Sequence, residues 1–165
     1  MSLEDKVNDK QSKGLIKKTL KLGYAGVLSA ATTALSLATY GTTGVFIGMG
    51  LAAGTFAGST IKGSKSFYNN VVDTLKTYSA FNLIISPVLH VWDYIIPRIH
   101  PGSGVLEFLG RGIFASTAFN AFFETMYKGS KHLIDNYFNP RGIINSIKDN
   151  FYNVWKRSAT VFSPG

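Results

Sequence analysis

From Leu22 to Ile61 the chain runs for 40 consecutive residues without Asp, Glu, Lys, Arg or His. A surface helix of a soluble domain needs a charged or strongly polar face, and this stretch has no charge to offer. One straight helix of that length would reach about 60 Å, roughly twice the hydrocarbon core of a bilayer. The run Tyr40-Gly41-Thr42-Thr43-Gly44 supplies a break, with two glycines bracketing β-branched residues. The stretch therefore reads as a helical hairpin, 22–40 outward and 43–61 back, each arm near the length a transmembrane helix needs. The 21-residue lead before it carries Glu4, Asp5 and Asp9 and is long for a signal peptide, so cleavage is not expected.

The second half repeats this layout with weaker hydrophobicity. Residues 77–92 are free of formal charge and lead through Asp93 to Ile96, with Pro87 expected to kink the helix. Pro97, Pro101, Gly102 and Gly104 mark a turn. Residues 105–127 follow, rich in Phe but carrying Glu107, Arg111 and Glu124. The expected fold class is all-α and integral to a membrane: two hairpins, four transmembrane helices, with amphipathic interfacial segments. The expected divisions are a basic segment 1–21, hairpin 22–61, a basic amphipathic connector 62–79, hairpin 80–127 and a basic amphipathic segment 128–165.

Charge placement is an independent test. Fifteen of the seventeen basic residues fall in three segments that this topology puts on one side. Lys6, Lys10, Lys13, Lys17, Lys18 and Lys21 precede the first span; Lys62, Lys65 and Lys76 lie between the hairpins. Lys128, Lys131, Arg141, Lys148, Lys156 and Arg157 follow the last. Arg98 and Arg111 remain for the other side. The bias puts both termini on the cytoplasmic or equivalent side. It also accounts for the net charge of +8 without an acidic partner, although only 16% of residues are charged. Lys62, Lys65, Lys128, Lys131, Lys156 and Arg157 are the candidate contacts for lipid headgroups or another anionic partner. Nucleic acid is admissible as a partner but not required.

Lys62-Gly63-Ser64-Lys65 recurs as Lys128-Gly129-Ser130-Lys131, an offset of 66 at which Gly44 meets Gly110 and Phe56 meets Phe122. The offset suggests a tandem duplication, with composition as the alternative. After Asn139-Pro140 a helix would group Ile144, Ile147, Phe151, Val154 and Trp155 opposite a basic face. That pattern suits either a membrane surface or another subunit. Phe67, Val71, Val72 and Leu75 form a shorter counterpart.

Gly44, Gly48, Gly50, Gly54 and Gly58 form a glycine zipper on the returning arm of the first hairpin. Small residues at this spacing let helices approach closely where the hydrophobic effect offers nothing. The partner is either the outgoing arm, rich in Ala and Gly, or another subunit. In layout alone the glycine-ridged hairpins resemble the mitochondrial inner-membrane translocase family. That family's charged signature between its middle helices has no counterpart here, and no residue role carries over.

Signs of catalysis are few. The absence of cysteine removes disulfides, thiolate metal sites and Cys nucleophiles. Neither a phosphate-binding loop nor a hydrolase nucleophile elbow is present. His132 and Asp135 are expected as a solvated pair. His90, Asp93, Glu107, Arg111, Asn120 and Glu124 are the candidates for a polar pathway, because ionisable groups within a span are functional candidates by default. Glu107 and Arg111 have the spacing of a helical ion pair, with Asp93 as a further partner. A buried contact face is the other reading of the strip. No cofactor, metal or catalytic set is expected.

Three functions remain: a non-catalytic subunit of a membrane complex, a small channel or carrier, and a virion or filament coat protein with basic segments facing nucleic acid. The first is favoured, with the bilayer and other membrane subunits, or a second copy, as partners.

Overall fold

The computed structural model describes residues 3–63, 65–99 and 101–162, and every regular element among them is helical. These are α1 (Leu3–Ile61), α2 (Phe67–Ile99), α3 (Val105–Phe114), α4 (Asn120–Asp135) and α5 (Ile143–Phe162). A π-helical segment, Ala115–Phe119, joins α3 to α4 without a break, so 105–135 form one bulged rod. His100 and the side chains of Ser116, Val154, Trp155 and Arg157 lie outside the described residues.

Helix α1 folds back on itself at a single residue, Gly41, whose φ of 67° and ψ of −156° leave the helical region. Only glycine enters that region without strain, so one residue does what the sequence suggested of five. Contacts with α2 trace the reversal. On the outgoing arm the Tyr68 hydroxyl donates to the Lys18 carbonyl, Ser29 meets Ser79, and Tyr40 reaches Asp93. On the returning arm Gly44 lies beside Ile85, Gly48 beside Asn82, and the Phe56 ring on that of Phe67. Helix α2 is thus sandwiched lengthwise by both arms and holds most of the buried side chains, among them Ala80, Phe81, Ile84, Ile85 and Val88.

The 105–135 rod runs antiparallel to α2. Phe119 packs on Trp92 at 4.5 Å between ring centroids, Tyr127 stacks on Phe81 at 4.4 Å, and Lys131 bonds Asp73. By length and apolar composition two helices suffice to cross a membrane: α1, over Lys10–Ile61, and α2.

Three expectations change. The amphipathic connector 62–79 is not separate, because from Phe67 onward it is the first half of α2. No turn residue interrupts 67–86, and α2 continues through Pro87 and Pro97. The buried Asn70 amide donates to the Phe56 carbonyl and the Thr60 hydroxyl, tying this first turn to the returning arm. Second, the apolar stripe of α5 docks on its own α4. Ile143 and Ile147 pack over Gly129, Phe151 sits among Ala118, Ala121, Phe122 and Thr125, and Ile144 is left exposed. Helix α5 therefore runs back along α4 from the 136–142 connection. Third, the repeated tetrapeptide takes two conformations. Gly63 sits in a turn with φ of 58°, whereas Gly129 and Ser130 are buried inside α4.

Candidate functional site

The glycine zipper divides into two faces. A Cβ at Gly44 would come within 2.6 Å of the Ser36 hydroxyl, and one at Gly48 within 2.7 Å of the Asn82 side-chain oxygen. These two glycines, with buried Ala52 one turn on, pack inside the chain. Gly50, Gly54 and Gly58 face the other way, and a Cβ at any of them would meet nothing within 4 Å.

Between the hairpin and α2 lies a seam of polar side chains. The Thr33 hydroxyl shares a hydrogen bond with the Tyr78 hydroxyl at 2.8 Å, and Ser29 bonds Ser79 at 3.1 Å. Ser29 and Thr32 also donate to the carbonyls of Ala25 and Leu28 in the preceding turn. Such pairing lets hydroxyls enter an apolar interior at little cost. At the centre it fails. The Ser36 hydroxyl and both polar atoms of the Asn82 amide are buried without a hydrogen-bond partner among the described residues. The sequence reading missed this seam. Its one signal was Asn82, the lone amide in 77–96.

The residues expected to form a polar pathway separate into groups. His90 and Asp93 gather around Tyr40: the tyrosine hydroxyl donates to the Asp93 carboxylate, and the Tyr40 and His90 rings meet edge-on at 5.2 Å. His90 Nδ1 lies 2.8 Å from the Ser86 carbonyl oxygen. Glu107 folds back over Gly102 and Gly104, while the Arg111 guanidinium donates to the Gly102 carbonyl instead of pairing with Glu107. Local turn closure wins here, because a carbonyl within reach of α3's first turns satisfies the cation without ordering two long side chains. Asp93 pairs with Tyr40, not Arg111. Asn120 is exposed and Glu124 half-buried on α4.

At the opposite end an ionic network joins α2 to α4. Lys131 bridges Asp73 at 3.0 Å and Asp135 at 2.9 Å; Lys65 adds a bond to Asp73 at 2.6 Å and Lys76 one to Asp135 at 3.1 Å. Burial alone would raise the Asp73 carboxyl, but the two lysines hold it below its ordinary value. Lys131 shows the mirror image: burial opposes its charge, and the two carboxylates raise it above its ordinary value. His132 does not pair with Asp135, because its Nε2 lies 2.9 Å from the Arg141 carbonyl oxygen.

Of the candidate anion contacts, Lys65 and Lys131 belong to this network, and Lys62 is exposed beside it. The Lys128 ammonium lies over the Tyr127 ring. Lys156, on α5, stands away from this end. No cluster of three or more metal-ligating side chains occurs among the described residues. No protein family, curated protein or solved structure matches this chain.

Proposed function

We propose that this chain is a non-catalytic, four-span membrane protein acting as a structural or assembly subunit of a larger membrane complex. Its basic end faces the cytoplasm or an equivalent compartment. The observation that carries the reading is an exterior of two kinds at similar height. The arms of α1 expose Val27, Leu35, Leu37 and Phe46, and α3 buries nothing, leaving Leu106 81% and Phe108 74% exposed. Those faces suit acyl chains. Helix α5, packed level with Ala118–Thr125 through Phe151, turns Tyr152, Asn153 and Lys156 outward. Exposed polar side chains such as the Asn153 amide are costly against lipid, and a protein partner removes that cost. The open Gly50, Gly54 and Gly58 ridge offers a second face on which a helix can pack closely. Extraction in mild detergent, native sizing and identification of co-purifying chains test the reading. An assembly well above 18.0 kDa is expected, and a stable monomer would overturn it.

A second reading, a small channel or carrier, is favoured by one feature, the buried and unpartnered Asn82 and Ser36 within the polar seam. A conducted solute or water would supply the missing bonds. Flux through liposomes containing the chain, compared with Asn82→Leu, tests it. Unchanged flux would dismiss the seam as a route.

A further inference from the structure

A cleft of about 290 Å³ opens at the basic end, between the outgoing arm of α1 and the first turns of α2. It is lined by Lys21, Lys65, Tyr68, Asn69, Asp73 and Lys76. Its lining thus carries three lysines and one carboxylate, with Lys65 bonded to Asp73 and Lys76 to Asp135. We propose that this cleft binds the phosphate of an anionic lipid headgroup, an inference that rests on the membrane reading above.

The ion-pair arithmetic supports an incoming anion. Asp73 is held by both Lys65 and Lys131, and Asp135 by both Lys76 and Lys131. Three lysines serve two carboxylates, so Lys65 and Lys76 can turn into the cleft while Lys131 keeps a cation on each aspartate. Lys21 has no ion-pair partner among the described residues. The Asn69 side-chain amide, exposed at the edge, is a neutral donor of the kind a phosphate oxygen accepts from. The surroundings favour a lipid over free phosphate. Lys21 is the last charged residue before the 40-residue uncharged stretch, so the cleft sits where that stretch begins. Exposed Leu20 and Leu22 on α1 and Phe67 on α2 flank it with apolar surface against which acyl chains can lie. Basic pockets between helices at this level are suited to anionic headgroups.

The test uses the full chain in nanodiscs of phosphatidylcholine with a few per cent phosphatidylglycerol, with retained anionic lipid counted by native mass spectrometry. The triple variant Lys21→Gln, Lys65→Gln, Lys76→Gln is compared with a control triple of exposed basic residues outside the cleft, Lys10→Gln, Lys17→Gln, Arg141→Gln. The cleft triple is expected to lose the retained lipid and the control to keep it. Equal loss in both would overturn the cleft in favour of a diffuse surface potential. Lys21→Gln alone removes an exposed, unpaired side chain, so folding is not at stake; it should weaken retention roughly five-fold. Unchanged retention would overturn the proposal. In lipid-free detergent, millimolar inorganic phosphate should protect the chain from thermal unfolding no better than chloride; cleft-dependent protection by phosphate would overturn the lipid source. Flotation with vesicles separates the two levels. A chain that fails to float sinks the membrane reading, whereas a floating chain with unaltered lipid retention sinks the cleft alone.

Discussion

At the scale of single residues the returning arm of α1 distinguishes glycines of the same apparent motif. Gly48 lies against the fully buried Asn82, whose oxygen would stand 2.7 Å from an added Cβ. That separation is shorter than any relaxed contact, and the opposing atom belongs to a fully buried side chain. Gly48→Ala is therefore expected to destabilise the chain by roughly 1–3 kcal/mol, the usual range for overpacking a filled interior. Gly54→Ala meets nothing within 4 Å and should not lower the thermal midpoint of the detergent-solubilised chain, helix propensity raising it slightly. Native sizing separates the second role, since Gly54→Leu should weaken assembly without unfolding the chain. Equal destabilisation by the two alanines would contradict this division. The spacing in the sequence pointed to close packing at these glycines, but not to which way each faces. Gly48 and Gly50, two residues and so about 200° apart on a helix, look alike in a motif and face opposite ways in a bundle. The Asn82–Ser36 seam was illegible for a related reason: isolated hydroxyls in an apolar run are common, and only the pairing of three helix faces gathers them.

Elements were legible where breaks are chemical and illegible where they are tertiary. The reversal near residue 41 followed from length and glycine content, and the structure concentrates it in Gly41. With φ of 67° and ψ of −156°, a side chain there enters a region closed to L-residues. Gly41→Ala should cost about 1–3 kcal/mol from backbone strain, although a Cβ there meets no neighbour. Circular dichroism during thermal unfolding would check this, with Gly23→Ala on the outgoing arm as the helix-interior control that should stabilise slightly. A neutral Gly41→Ala would mean that the arm does not reverse there. The continuity of α2 through Pro87 was legible as a kinked helix, but its start at Phe67, ten residues before the uncharged stretch that begins at Thr77, was not. Nor was the docking of α5. Its stripe predicted an apolar partner, and only folding showed that the partner is α4.

The whole molecule has one end defined by charge, which yields a pH dependence. Asp73 titrates below its ordinary value of 3.8, so its stabilising contribution is present above that pH and disappears as pH falls through the lowered value. Lys131 titrates above its ordinary 10.5, so its contribution is complete below that pH and lost as pH rises through the raised value. Between those limits the network is constant. Asp73→Asn should therefore lower the thermal midpoint near neutrality, and the gap from the parent should close in acid below pH 3.8. A gap independent of pH would assign the effect to packing.

The proposed topology can be read cleanly because the chain has no cysteine of its own. Ser12→Cys and Ser66→Cys would stand at the basic end, both on exposed positions, and Ser103→Cys on the exposed 101–104 turn at the other. If α1 doubles back within the bilayer, the first two should share one labelling pattern in sealed, oriented vesicles. Ser103→Cys should show the opposite pattern toward a membrane-impermeant maleimide. Helix count sets the pattern: one reversal at Gly41 followed by one pass of α2 puts the 101–104 turn across the membrane from Ser66. A bundle lying on the surface would label all three from the same side. A single unbroken pass by α1 would instead put Ser12 and Ser66 on opposite sides. The labelling pattern thus tests the first three passes of the four-span reading and the Gly41 reversal on which they depend.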